Sequence, residues 1–274
     1  MPSLKLPRIG LGTWQLKPKV CVKSVLKAIE IGYRFIDTAQ MYRNEQAVGE
    51  AISQGTIDRK ELIIATKLAI WNLRPGSVKH STKKSLQKLQ LDYVDIMYIH
   101  WPAPIFYNPE KTFKALSQLV DEGKIKHIGV SNFTPKLLDK AVPACDKPIV
   151  ANQVEHHPWL QQREMREYLK QHDMYLVAYS PLARGNILRQ TSELKQIAEK
   201  HKCSLAQVSL AWIMQHEAVP IPKSSSEEHI RDNFESLNLT LDAEDIALID
   251  SIKIQKRLIN PPLVHPKWQN SIQK

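Results

Sequence analysis

The chain has 274 residues, 43% of them hydrophobic and 24% charged, with 38 Lys and Arg against 28 Asp and Glu for a formal net charge of +10. That is ample for a sizeable core, as two ordinary domains or as one α/β barrel of about 250 residues, and the basic excess, spread along the chain without a nucleic-acid motif, suits a phosphate-bearing small ligand better than a polynucleotide. Cys21, Cys145 and Cys203 make no CxxC pair or zinc spacing, the N-terminus has no apolar signal region and no run of about 18 apolar residues occurs, so neither a disulfide scaffold, a secretory leader nor a membrane span is expected, and a cytoplasmic location is.

Apolar, β-rich runs and helical patterns alternate along the chain. The first run, 8–13, precedes a helix whose Val22, Val25, Leu26 and Ile29 share one face and which Gly32 stops. The second, 34–38, leads to Asn44, placed to cap a helix through Ala47, Val48 and Ala51. Runs at 62–67 and 94–100 follow, then Asn108-Pro109 opens a helix carrying Phe113, Leu116, Leu119 and Val120, which Gly123 ends. After the run at 127–131, Thr134-Pro135 reads as an N-cap with proline at the first helical position. The runs at 149–154 and 175–180 come next. The long interval before the last run, 219–222, holds a helix opened by Ser204 and room for an extra helix or loop. Each run is nearly continuous in apolar character, as strands buried on both faces are. Eight β-then-α units with no polar linker predict an α/β fold, a single-domain (β/α)8 TIM barrel over 1–274, with a proline-bearing tail from about 253 to 274 laid over the barrel mouth.

In such barrels the functional face is the C-terminal end of the strands. Here the runs end in Thr13-Trp14, Asp37-Thr38, Lys67, His100-Trp101, Ser131-Asn132, Asn152-Gln153, Tyr179-Ser180 and Lys223-Ser224. Buried polar groups need partners, so side chains of this kind at every end imply mutual pairing or a ligand. If the strands close into a ring, Asp37, Lys67 and His100 project into one mouth, where Asp37 and Lys67 compensate each other's burial and Tyr42 reaches them from the next loop. A phenol titrates near pH 10, and a neighbouring ammonium lowers that value, so Lys67 is expected to depress the pKa of Tyr42. An acid, a tuner, an orienting carboxylate and a hydrogen-bond donor suit proton delivery to a carbonyl oxygen.

These residues and their surroundings resemble the aldo-keto reductases over nearly the whole chain. The matching stretches are Gly10-Leu11-Gly12-Thr13-Trp14, Asp37-Thr38-Ala39 with Tyr42 and Asn44-Glu45, Ala65-Thr66-Lys67, Ile99-His100-Trp101-Pro102, Gly129-Val130-Ser131-Asn132-Phe133, Asn152-Gln153-Val154-Glu155, Tyr179-Ser180-Pro181-Leu182 and Ile221-Pro222-Lys223-Ser224. The resemblance implies an NAD(P)H-dependent reduction of aldehydes and ketones, with Tyr42 as general acid, Lys67 held by Asp37, and His100 orienting the carbonyl. It implies a nicotinamide cofactor, NADPH preferred and NADH possible, bound through Thr13, Asp37, Ser131, Asn132, Gln153, Tyr179, Ser180, Leu182, Lys223, Ser224, His229 and Asn233. Among these, Tyr179 would stack on the nicotinamide, Ser131, Asn132 and Gln153 would hold its carboxamide, and Lys223 would meet a 2′-phosphate. Trp14, Trp101 and Trp268 would line the substrate opening. No metal is expected, since His156-His157 has no third ligand in view.

Departures from the family pattern carry expectations of their own. His229 stands where many members have arginine, which relaxes discrimination between the two cofactors. The short N-terminus implies that the hairpin plugging the barrel bottom is reduced or missing, and Ala183-Arg184-Gly185-Asn186 is short for a cofactor strap. A phosphate-binding isomerase on the same fold would need a glycine-rich loop late in the chain, and Gly185 is the only glycine after Gly129. A non-catalytic nicotinamide sensor is the remaining alternative. The expected partner is a small aldehyde or ketone, with no nucleic acid or membrane partner, and the expected state is a monomer.

Overall fold

The computed structural model describes residues 4–103 and 105–268. All eight apolar runs form strands: β1 (Leu11–Gly12), β2 (Phe35–Asp37), β3 (Ile63–Leu68), β4 (Val94–Ile99), β5 (Ile125–Ser131), β6 (Ile149–Glu155), β7 (Tyr175–Tyr179) and β8 (Ala218–Pro220). They pair in chain order, and every pair is parallel. The seam between the last strand and the first closes through the Gly10 and Gly12 amides, which donate to the Pro220 and Pro222 carbonyls at 2.9 and 3.0 Å. These bonds run one way, because a proline has no N–H to return. A Cβ added at Gly12 would stand 2.7 Å from the Ile221 carbonyl oxygen, so bare backbone is what lets the two edges meet.

Around the strands run α1 (Pro18–Ile31), α2 (Glu45–Gln54), α3 (Pro75–Leu89), α4 (Pro109–Asp121), α5 (Pro135–Ala141), α6 (Arg163–Gln171), α7 (Ile187–Gln190), α8 (Ser192–His201), α9 (Leu205–Gln215), α10 (Glu227–Glu235) and α11 (Ala243–Asp250). The interval between β7 and β8 holds α7 and α8 in addition to α9, as its length implied. Gly32 ends α1 with a φ of 127°, and Asn108 and Ser204 cap α4 and α9 by accepting from the Lys111 and Gln207 amides. Thr134 and Asn44 make no side-chain cap. Asn44 instead donates to the Thr13 and Leu16 carbonyls at 2.8 and 3.3 Å and accepts from the Thr38 hydroxyl. Pinning two loops satisfies its amide more fully than one helical N–H would.

Strand alternation divides the apolar residues into two cores. Phe35, Ala65, Ile96, Tyr98, Ala151, Val177 and Val219 pack inside the ring, while Ile36, Ile64, Met97, Ile99, Val130 and Val154 face the helices. Among the described residues no strand precedes β1; Leu4 fills the bottom of the interior core, and its carbonyl accepts from the Tyr175 hydroxyl. The tail crosses the mouth at β6, where the Glu155 carboxylate accepts from the Leu258 and Ile259 amides at 2.8 and 2.9 Å. Residues 269–274 of the expected tail lie outside the described residues.

Gly12→Ala is expected to lower stability by about 1–3 kcal/mol, as overpacking against a backbone atom does. Urea denaturation measures this, and an unchanged midpoint would mean that the seam yields freely.

Candidate active site

The inward positions of β2, β3, β4 and β6 continue past the apolar layer into Asp37, Lys67, His100 and Gln153. Asp37 lies two residues beyond Phe35, Lys67 two beyond Ala65, His100 two beyond Tyr98 and Gln153 two beyond Ala151, so the same alternation that builds the interior core aims all four into the mouth. Lys67 and Asp37 are fully buried. The Lys67 ammonium donates to the Asp37 Oδ1, to the Thr38 carbonyl at 2.9 Å and to the Tyr42 hydroxyl at 3.3 Å, so its three N–H donors are all used. Burial pushes the Asp37 carboxyl up and the Lys67 ammonium down from their ordinary values, and each partner's charge opposes the other's shift.

Tyr42 sits in a single 3-10 turn, Gln40–Tyr42, that follows β2. That turn is anchored by Gln40, whose side chain bonds the Ala69 amide, Asn72 and Ser85. The His100 ring meets Tyr42 edge-on with centroids 5.7 Å apart. Burial, and then the Lys67 charge, hold the imidazole well below its usual range, so it is neutral at neutral pH, and its Nδ1 has no hydrogen-bond partner. The Tyr42 phenol is pushed well above its ordinary value by burial and then by the Asp37 carboxylate, contrary to the lowering expected from Lys67. The reason is the pairing itself: Asp37 neutralises much of the ammonium's field at the phenol, and loss of water then dominates.

Gln153 belongs to this cluster in a way the sequence did not indicate. Its side-chain N–H donates to the Asp37 Oδ2 at 2.7 Å, so both carboxylate oxygens are occupied. Tyr98 was also missed. Its hydroxyl is buried beside the Gln153 amide, two residues below His100, and Gly129 makes room for its ring on β5. A period of two, counted back from His100, was the available signal.

The other candidates fall into three groups. Ser131, Asn132 and Tyr179 form one network beside the cluster: the Tyr179 hydroxyl donates to Asn132 Oδ1 at 2.8 Å, and the Asn132 amide donates to the His100 carbonyl and the Ser131 hydroxyl, each at 3.0 Å. Thr13 donates to the Asp37 carbonyl through both its hydroxyl and its amide at 3.0 Å. Ser180 (φ 48°), Leu182 and the turn Ala183–Gly185 lead away from Tyr179 in a tight loop with left-handed residues at Ala183 and Arg184. The second group lies past β8. Lys223 is exposed, Ser224 is buried and bonds across to the Ser226 backbone, His229 is exposed near the start of α10, and Asn233 is buried on the same helix. The indoles make up the third: Trp101 is buried, Trp14 is exposed under the Arg184 guanidinium at 4.8 Å, and Trp268 is stacked by Arg257 at 3.6 Å and donates to Asn260. His157 bonds the Glu155 carboxylate and His156 packs on Trp212, and no group of three potential ligands able to hold a metal occurs among the described residues.

Residues 8–254 match the aldo/keto reductase family, and the chain belongs to that family of oxidoreductases, whose work is carbonyl reduction. Its similar relatives are reductases. It is 42% identical to methylglyoxal reductase DkgB of Escherichia coli O157:H7 over 97% of this chain and 100% of that one, and 41% identical to glyoxal reductase of Bacillus subtilis over 93% and 92%. Among solved structures, a putative 2,5-diketo-D-gluconic acid reductase B superposes with a TM-score of 0.92 at 32% identity, covering 96% of this chain and 94% of that one, and aldose reductase from Schistosoma japonicum does so with 0.92 at 30%, covering 97% of each.

Lys67→Met leaves the Asp37 carboxylate buried without its counter-charge and is expected to cost about 3–5 kcal/mol in stability. Adding Asp37→Asn should recover much of that loss. Urea denaturation of both variants and of the single Asp37→Asn chain closes the cycle, and strictly additive losses would deny the coupling.

Proposed function

We propose that the chain is an NADP(H)-dependent reductase of small aldehydes and ketones in which Tyr42 is the general acid. The observation that carries this reading is the Lys67 ammonium lying between the Asp37 carboxylate and, at 3.3 Å, the Tyr42 hydroxyl. A reduced nicotinamide, when bound, supplies the hydride that the carbonyl carbon accepts. The donor set beside the cluster suits such a ring: Ser131, Asn132 and Gln153 offer amide and hydroxyl groups, Tyr179 offers an aromatic face, and Thr13, Ser180 and Leu182 border them. As negative charge grows on the carbonyl oxygen, the Tyr42 phenol delivers its proton there. The raised phenol keeps that proton through neutral pH, and Lys67 stabilises the phenolate left behind. Neutral His100 orients the carbonyl by donating a ring N–H to its oxygen.

NADPH is favoured over NADH because Lys223 is an exposed cation free of any ion pair among the described residues, at the turn leading into α10, with Ser224 beside it, the exposed His229 in the first turn of that helix and Asn233 as the adenine contact. The names of similar reductases point to 1,2-dicarbonyl substrates such as glyoxal and methylglyoxal, and Trp14, Trp101 and Trp268 are the indoles proposed to border the opening. A single-domain protein of the cytoplasm suits three free thiols.

Tyr42→Phe is expected to reduce kcat at least about 100-fold with nicotinamide affinity nearly unchanged. Loss of absorbance at 340 nm measures the first and fluorescence titration the second, and retained turnover would remove Tyr42 as the acid. Because the acid works in its protonated form, reduction should stay level through neutral pH and fall only on the alkaline side. Lys223→Ala should weaken NADPH much more than NADH, and equal weakening of both would deny a phosphate contact.

A further inference from the structure

We propose that the mouth face of the barrel docks on an anionic lipid surface, with Trp71 and Ile105 seated among the headgroups. The proposal goes beyond the reductase reading and does not depend on it.

The apolar part of the argument is a matter of placement. Of seven large hydrophobic side chains exposed among the described residues, all but Val142 lie on this face. Trp14, Met41, Trp71 and Ile105 stand on the loops that follow β1, β2, β3 and β4, and Ile254 and Leu263 stand on the tail that crosses the same mouth. Trp71, Ile105 and Leu263 are 55%, 78% and 89% exposed. Neighbouring loops are tied to one another here, the second to the third through Gln40 and the third to the fourth through Arg74 over the Phe106 ring at 6.0 Å, so Met41, Trp71 and Ile105 stand on one linked arc of loops. An apolar arc of this kind marks an interaction surface, not scattered exposure.

Charge selects the partner. No Asp or Glu occurs in the segments 13–17, 38–44, 69–74, 100–108, 132–134, 156–162, 180–186, 221–226 or 251–268, which are the loops after all eight strands and the tail. Carboxylates return only once the helices have begun, as at Glu110 and Glu227. The same segments carry exposed Lys17, Arg43, Arg74, Arg184, Lys256 and Lys267, and none of these cations is in an ion pair among the described residues. The ion-paired surface lysines, such as Lys79, Lys147, Lys170 and Lys200, belong to helices or to the opposite end of the barrel. Exposed aromatic and aliphatic side chains among unpaired cations, with no acid in the loops that carry them, match an anionic bilayer: the cations draw the face down and the indole sits at the headgroup level. The chain would then lie on the membrane without spanning it, unlike the absence of a membrane partner expected from sequence. Seated this way, the mouth opens toward carbonyl compounds dissolved in the bilayer.

The test is co-sedimentation of the full chain, without cofactor or substrate, with vesicles of phosphatidylcholine alone or mixed with phosphatidylserine. Wild type is expected to pellet with the mixed vesicles at low salt, to remain in solution with phosphatidylcholine alone, and to release as salt screens the cations. Trp71→Ser combined with Ile105→Ser should weaken binding about tenfold or more. Arg43→Glu with Arg74→Glu should do the same, while Lys83→Glu with Lys84→Glu on α3 should bind as wild type does. Thermal melting checks that each variant is folded. Wild type left in solution with the mixed vesicles overturns the proposal. So does equal loss from the α3 pair, or full binding by the Trp71/Ile105 variant, since either result would describe diffuse adsorption of a chain with net charge +10.

Discussion

The buried pair of Asp37 and Lys67 is the constraint on which the mouth of this barrel depends. Neither charge is tolerable alone in that position, and each is acceptable only because the other is there with further hydrogen bonds around both. Lys67 takes Thr38 and Tyr42 as its second and third acceptors, and Asp37 takes Gln153 on its second oxygen. Three strands are thereby tied at one point: β2 and β3 are neighbours, but β6 reaches the pair from across the ring. The near-neutral pair also explains the chemistry available to Tyr42. Its phenol feels more desolvation than ammonium, so it holds its proton at rest, and in the proposed reaction the ammonium at 3.3 Å is in place for the charge that would appear when the proton leaves.

A second buried carboxylate answers the first. Glu155, the inward residue two beyond Gln153, is as deeply buried as Asp37, yet it binds no lysine. It accepts from His157 and from two tail amides, which converts a buried charge into a clasp for the C-terminal segment. The same strand thus supplies one residue to the candidate catalytic pair and one to the tail. With these two acids turned inward, the outer rim of the mouth is left to cations and apolar side chains, and its charge differs from that of the barrel wall, where lysines and carboxylates pair along the helices.

Much of the architecture was legible in the chain. Continuous apolar runs located all eight strands because a strand buried on both faces needs apolar residues at every position. Gly32, Asn108 and Ser204 marked helix ends correctly, since a left-handed turn or a capping oxygen is a local requirement. Asn44 does stand at the N-cap position of α2, but its side chain turns away from the helix because its partners, the Thr13 and Leu16 carbonyls, lie on a different loop. The Tyr42 shift was misjudged for the related reason that a pairwise argument with Lys67 omitted burial and Asp37. Gln153 is not placed with the cluster by sequence because a contact across the interior of a ring has no signature in local spacing, whereas Tyr98, two residues before His100 on the same strand, does carry one.

The sequence by itself determined the elements, their order, the closed barrel class and the residue types at each strand end, because those follow from hydrophobic runs, turn chemistry and side-chain periodicity that each segment carries alone. Only the tertiary structure decided that the seam closes through Gly10 and Gly12 onto two proline carbonyls, that Gln153 completes the Asp37 shell, that Glu155 holds the tail, and that the unpaired cations share one face with the exposed indole of Trp71. These are contacts between residues far apart in the chain, and they exist only once the ring has closed and fixed which strand ends meet.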